Sequence, residues 1–191
     1  MSSSYRRSLE AWLKDLDVTA KVVFDIGGSQ LPVNNRVKSW KVGKSYIIDM
    51  ESPHKESPAP DFPADLNLPF DLTIKADLIF CLEVFEYIYD PFTALVNIRD
   101  LLVNHGVVKG RAYISFPFAY PVHEPREDDS LRYTEYGIKK LCDAVGLTII
   151  NMISRRSDTD ALAQAYAIER MRPAKGYDHS IIGWIVEVRV P

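Results

Sequence analysis

Val22-Val23-Phe24-Asp25-Ile26-Gly27-Gly28-Ser29-Gln30 is the stretch on which the rest of the chain is organised. Three apolar residues leading into Asp25, Ile26 and two glycines predict a buried strand that stops at a tight turn. A run that is apolar on both faces fits a parallel strand covered by helices. Glycines at its carboxyl end let a ligand approach the backbone closely. In open α/β sheets that crevice is where ligands bind. Further on, a second short strand, Tyr46-Ile47-Ile48, ends in Asp49. An acid at that place commonly accepts hydrogen bonds from ribose hydroxyls. The combination points to a nucleoside-containing cofactor and leaves the acceptor substrate open.

Working outward, residues 4–16 place Tyr5, Leu9, Trp12, Leu13 and Leu16 at helical spacing, an amphipathic helix beside the sheet. The first strand is expected at about 21–26 and the second at about 44–49. Three prolines between Glu51 and Pro60 argue against a regular helix there. A third, short strand is expected near 62–65 and a fourth, nearly all apolar, at 76–81. Asp90-Pro91 reads as a cap and first position of a helix whose apolar face is Phe92, Leu95, Val96, Leu102 and Val103, ending at Gly106. Residues 111–116 form the fifth strand, stopped by Pro117, and a polar-aromatic loop covers 117–133. Thr134 caps a helix running to Gly146, and 147–154 is the sixth strand. Ser157 with Asp160 resembles a capping box for a helix to about Arg170, and 181–190 is the seventh strand. Strand–helix alternation gives an α/β, doubly wound fold, with the sheet order of the last two strands left open.

At 191 residues with 47% hydrophobic content, the chain reads as a single domain with a sizeable core. Its net charge of −3 argues against broad nucleic-acid binding, which needs a basic face; Lys38, Lys41 and Lys44 read as a solvated face. Cys81 and Cys142 show no metal spacing, so no metal is expected; they read as reduced core thiols of a cytoplasmic protein. Neither a secretory signal nor a membrane span is expected.

Five pieces in order resemble the class I S-adenosylmethionine-dependent methyltransferases, over about residues 20–150. They are Phe24-Asp25-Ile26-Gly27-Gly28-Ser29; Ile48-Asp49; Ala64-Asp65-Leu66-Asn67-Leu68-Pro69-Phe70; Asp77-Leu78-Ile79-Phe80-Cys81-Leu82-Glu83-Val84-Phe85-Glu86-Tyr87-Ile88-Tyr89-Asp90-Pro91; and Pro117-Phe118-Ala119-Tyr120-Pro121-Val122-His123-Glu124-Pro125 with Asp129 and Arg132-Tyr133-Thr134. The closest likeness is to small bacterial members with a His…Pro…Asp…Arg-Tyr-Thr lid. The resemblance implies a Rossmann-like mixed sheet of seven strands with an antiparallel last strand. It divides the single domain into an N-terminal helix (1–19), a cofactor-binding core (20–150) with a lid (117–133), and a C-terminal strand-helix-strand (151–191).

The implied cofactor is S-adenosylmethionine, leaving as S-adenosylhomocysteine. Asp25, Gly27, Gly28 and Ser29 are then expected around its methionine end, Asp49 on the ribose, Asp65 and Leu66 at the adenine edge, and Leu82 and Glu83 along the methyl-transfer site. Three departures stand out. Ser29 replaces the second glycine of Gly-x-Gly, Tyr87 stands where His is usual, and the Pro-rich loop replaces a helix. Simpler readings accompany several residues. Asp25 also fits a turn former; Glu83 and Glu86 also fit first-turn helix residues, which is the preferred reading of Glu86; Arg132 either grips the acceptor or fastens the lid to Glu124, Asp128 or Asp129.

The expected chemistry is direct methyl displacement onto a small-molecule or glycan-type acceptor, at oxygen, with His123 as leading base and Arg132 and Tyr133 positioning the acceptor under the lid. Leu82-Glu83-Val84-Phe85 stands where amino-methylating relatives carry a polar-Pro-Pro-aromatic motif, so an exocyclic DNA amine is a poor acceptor. Two other classes stay open. One is a cofactor-binding but inactive partner protein. The other is a nucleotide-cofactor oxidoreductase, which Pro32 fits poorly where the last glycine of Gly-x-Gly-x-x-Gly is wanted.

Overall fold

The structure is a computed structural model. It describes residues 4–51, 57–105, 108–122, 124–157, 176 and 178–191. The elements are α1 (Ser4–Lys14), β1 (Asp17–Ile26), β2 (Ser39–Asp49), β3 (Phe62–Pro63), β4 (Leu78–Cys81), α2 (Pro91–Leu101), β5 (Asn104–His105), β6 (Val108–Lys109), β7 (Arg111–Pro117), α3 (Glu135–Ala144), β8 (Thr148–Arg156) and β9 (Ile181–Arg189). A seven-stranded sheet runs in the order β3-β2-β1-β4-β7-β9-β8. β1 pairs parallel with β2 and β4, and β4 with β7. β9 lies antiparallel to both its neighbours, β7 and β8, as the seventh strand was expected to.

β4 shows why the central strands read as unbroken apolar runs. All four of its residues are buried. Leu78 and Phe80 face one side with Leu9 and Leu13 of α1, while Ile79 and Cys81 face the other with Leu95 and Ile98 of α2 and Ile138 of α3. Alternate residues of one strand thus enter two separate cores, and neither face tolerates a polar side chain. Both cysteines are free and buried.

Several boundaries differ from expectation, each for a local reason. β3 is only two residues long, at the sheet edge, where Pro63 needs no ladder donor. α2 starts as read: the Asp90 carboxylate accepts from Thr93 N–H and Pro91 occupies the first turn. Its buried face is Ala94, Leu95, Asn97, Ile98 and Leu101, whereas Phe92 is half exposed. The helix stops at Leu101 because Leu102 turns extended and Val103 N–H donates to Ala76 O, joining the chain to the entry of β4. Gly106, the expected stop, lies outside the described residues, as does the helix expected from the Ser157/Asp160 capping box to about Arg170, beyond Ser157 itself. α3 is capped by the Thr134 hydroxyl, which accepts from Gly137 N–H, and Gly146 follows it at φ +75°. Among the described residues no helix is long and apolar enough to cross a membrane.

Candidate active site

The carboxyl ends of β1, β2, β4 and β7 meet at one rim of the sheet. There the β1 strand ends in Gly27, held at φ +77°, a region in which a side chain is strained. Its N–H donates to Ile48 O of β2 at 2.8 Å. A Cβ on Gly27 would lie 2.3 Å from Val84 Cγ2, so the turn after β1 packs directly on the turn after β4. Gly28 is as tightly confined: a Cβ there would stand 2.4 Å from the Asp25 carboxyl carbon. Asp25 is buried and its Oδ2 accepts from Val33 N–H at 2.6 Å. Burial, countered only partly by that bond and by Arg36, raises its pKa to about 7. Asp25 therefore shapes the turn from inside, as the turn-forming reading of it has it, and its buried carboxyl lies beneath Gly28.

Asp49 ends β2 half-buried. Its Oδ2 accepts from Ser29 N–H at 3.1 Å and its Oδ1 from Met50 N–H at 2.9 Å. A carboxylate has about four acceptor sites, so two remain for hydroxyls. Ser29 is buried, and its hydroxyl has no hydrogen-bond partner among the described residues. A buried orphan hydroxyl beside an acid is what a polar ligand would complete. Beyond β3, Asp65 Oδ1 accepts from both the backbone and side-chain N–H groups of Asn67, and Leu66 is buried. Asn97 of α2 ties this loop down: its amide donates to Leu66 O and Leu68 O at 3.0 and 2.9 Å. Sequence reading did not single out Asn97.

After β4 the chain reaches Leu82, buried, and Glu83, in the left-handed region at φ 59°. Such a φ is uncommon for a residue with a side chain and needs support from outside. That support is explicit. Glu83 N–H donates to Ser115 Oγ at 2.7 Å, and Ser115 O–H donates back to Glu83 Oε1 at 3.0 Å. Arg155 of β8, fully buried, grips the same carboxylate through Nη1 at 2.6 Å and Nη2 at 3.3 Å. Neither Ser115 nor Arg155 was picked out from the sequence. Ser115 carried a signal, a hydroxyl inside an otherwise apolar run, which buried in a central strand must find a partner.

Glu86 overturns its sequence reading. No helix forms between β4 and α2, so it is not a first-turn residue. It is buried, with its Oε2 lacking any hydrogen-bond partner among the described residues. Burial first, then the Glu83 charge, raises its pKa to about 8. The loop that follows β7, expected to be a lid, packs against it. Ser130 and Leu131 N–H groups donate to the Glu86 carbonyl at 2.7 and 3.4 Å, and Tyr87 O–H donates to Glu124 O at 3.0 Å. Tyr133 packs edge-on against Phe85 and Phe116 and donates its hydroxyl to Phe85 O at 3.1 Å. Arg132 forks onto both oxygens of Asp129 and also donates to the carbonyls of Tyr120, Pro121 and Leu131. Asp129 is thus the acid, of the three offered to Arg132 from the sequence, that it pairs with. His123 lies outside the described residues.

Asp25 and Glu86 make the fold pH-sensitive in a definite direction. Both folded pKa values, about 7 and about 8, stand above the ordinary 3.8 and 4.5. Between those limits the folded chain holds more protons than the unfolded one, so stability falls as pH rises through the window. Below it, Asp90, whose pKa Thr93 lowers, acts in the opposite sense. Urea unfolding is expected to give a lower free energy at about pH 8 than at about pH 5.5; a rise over that interval would contradict the two buried acids.

No family model and no curated protein sequence matches the chain. Solved structures do. The N-methyltransferase NodS from Bradyrhizobium japonicum WM9, in complex with S-adenosyl-L-homocysteine, superposes with TM-score 0.62 at 16% identity, covering 100% of this chain and 89% of that one. A SAM-dependent methyltransferase of Leishmania major gives TM-score 0.60 at 11% identity, covering 97% of this chain and 71% of that one. OxaC, in complex with sinefungin and meleagrin, gives 0.55 at 14%, over 89% of this chain and 43% of that one. The chain thus has the class I methyltransferase fold, an α/β single domain with a seven-strand mixed sheet.

Proposed function

We propose that the chain is an S-adenosylmethionine-dependent methyltransferase acting on a small-molecule or glycan-type acceptor, at oxygen. The observation that carries this reading is the turn Asp25–Ser29: two glycines with no room for a side chain, an orphaned buried hydroxyl, and Asp49 alongside, on this fold. Asp25, Gly27, Gly28 and Ser29 would hold the methionine end of the methyl donor, Asp49 the ribose, Asp65 and Leu66 the adenine edge. Leu82 and Glu83 would border the transferred methyl. The bound donor supplies an activated methyl group; the chain's task is to align the acceptor with it and exclude water, which removes roughly 7–11 kcal/mol of barrier. The lid, fastened by Arg132 and Tyr133, is the wall on the acceptor side.

A thermal-shift and calorimetric comparison of S-adenosylhomocysteine, S-adenosylmethionine, NAD and FAD tests the reading. The first two are expected to bind, and a ligand at 100 times its dissociation constant adds about 2.7 kcal/mol of stability. Binding of NAD or FAD alone would replace this reading with the oxidoreductase. Binding without turnover on any acceptor would favour the inactive partner protein, which Arg132's full engagement by the lid also suits. Asp49→Asn keeps the shape and removes the charge. Its S-adenosylhomocysteine affinity is expected to fall about tenfold or more, since a hydrogen bond to a charged group is worth about 1.5–3 kcal/mol. An unchanged dissociation constant would move the ribose contact elsewhere.

A further inference from the structure

We propose that Glu86 is the acceptor-side residue of this site: its unpartnered carboxylate oxygen receives the proton-bearing oxygen or nitrogen of the methyl acceptor and takes that proton as the methyl arrives. The inference rests on the methyltransferase reading and deepens it. Four observations carry it. Glu86 is 3% exposed yet its Oε2 has no hydrogen-bond partner among the described residues, an arrangement that costs free energy unless something else completes it. It lies in the loop that leaves the carboxyl end of β4, whose Val84 touches Gly27 of the donor turn. Its backbone carbonyl accepts from Ser130 and Leu131 N–H, so it lies directly against the loop that follows β7. The neighbouring acid, Glu83, is already matched by Arg155 and Ser115, so Glu86 is the carboxyl left over.

The charges around it are consistent with a proton-taking role. Cys81 of β4, Glu83 and Tyr87 of its own loop, Asp129 and Tyr133 of the lid side, and Arg155 of β8 all interact with it electrostatically. Burial and the Glu83 charge raise its proton affinity, and a carboxylate held in that environment is a stronger base than one in water. In the step itself, the acceptor's lone pair bonds to the methyl carbon and the carbon–sulfur electron pair leaves with sulfur. The acceptor's X–H bond breaks and its proton passes to Glu86 Oε2. Charge is conserved, and no further reactant is needed. The class of acceptor this favours is one with a proton to give, a neutral hydroxyl or amine.

Sinefungin tests this without knowledge of the acceptor. It carries an amine-bearing carbon where the donor carries its methylated sulfur, and so offers a cationic N–H donor that S-adenosylhomocysteine lacks. Calorimetry of both ligands is compared for the parent chain, Glu86→Gln and Glu86→Asp. The parent is expected to prefer sinefungin; Glu86→Gln is expected to lose about tenfold in sinefungin affinity with S-adenosylhomocysteine affinity unchanged, and Glu86→Asp to lie between. At about pH 7 sinefungin binding to the parent should also release a proton, read from the heat in two buffers of different ionisation enthalpy, because the cation displaces it from Glu86. That second measurement needs no variant to fold. An unchanged sinefungin preference in Glu86→Gln, or binding to the parent without proton release, overturns the proposal. Failure of the parent to bind either nucleoside overturns the methyltransferase reading itself, and this inference with it.

Discussion

Glu83→Gln is expected to destabilise the folded chain, by up to about 3–5 kcal/mol, because it removes the carboxylate charge that the buried Arg155 guanidinium grips. Arg155 is 0% exposed at its side chain, whereas Glu83 is 31% exposed. The pair is therefore asymmetric. Arg155→Met leaves a carboxylate that water still reaches and a methylene-rich side chain of similar volume, so its cost is expected to be smaller than that of Glu83→Gln. Urea unfolding of the two variants measures this; equal losses, or a larger loss in Arg155→Met, would mean that the charge is not the deciding element. Ser115 and Arg155 both donate to Glu83 Oε1, and Ser115 also accepts from Glu83 N–H, which together support Glu83 at φ 59°. Both variants are expected to weaken S-adenosylhomocysteine binding, since the loop after β4 loses its anchor to β7 and β8.

Gly28→Ala is expected to do comparable damage by steric means. Its Cβ would stand 2.4 Å from the Asp25 carboxyl carbon and 2.5 Å from Oδ2, distances no real side chain keeps. Asp25 has little room to yield, being buried and bonded to Val33 N–H at 2.6 Å. Overpacking costs about 1–3 kcal/mol, and an orphaned buried N–H adds about 1–3 kcal/mol. Loss of S-adenosylhomocysteine affinity is expected to exceed the tenfold anticipated for Asp49→Asn, because the whole turn is displaced. Calorimetry on the folded fraction checks it. Gly28→Ala binding like the parent would show that the turn does not meet the ligand.

Much of this was legible in the sequence, and the reason is local. Asp25-Ile26-Gly27-Gly28 reads as a strand meeting a turn because glycine alone tolerates both the left-handed φ at Gly27 and the contact at Gly28. Asp90-Pro91 and Thr134 mark helix starts because caps are made within three residues of the chain. The apolar end of β1, Val23–Ile26, and β4 show no polar phase because they are buried on both faces, as central strands covered by helices are.

What the sequence could not show is what depends on residues far apart in it. The partner of Glu83 is Arg155, brought alongside only because β9 inserts between β7 and β8. Glu86 looked like a helix-start residue because Glu is common there; in the fold it is a buried acid against the loop after β7, with an Oε2 that has no hydrogen-bond partner among the described residues. Arg132 looked equally fit to grip a ligand or a neighbour, and tertiary packing gave it Asp129. Local backbone chemistry is written in short stretches, so the strands, caps and glycine turn follow from them. Electrostatic partners, desolvation and lid contacts are set by the fold's long-range closures, so the chemistry of Glu83, Glu86 and Arg132 was decided only when the chain came together.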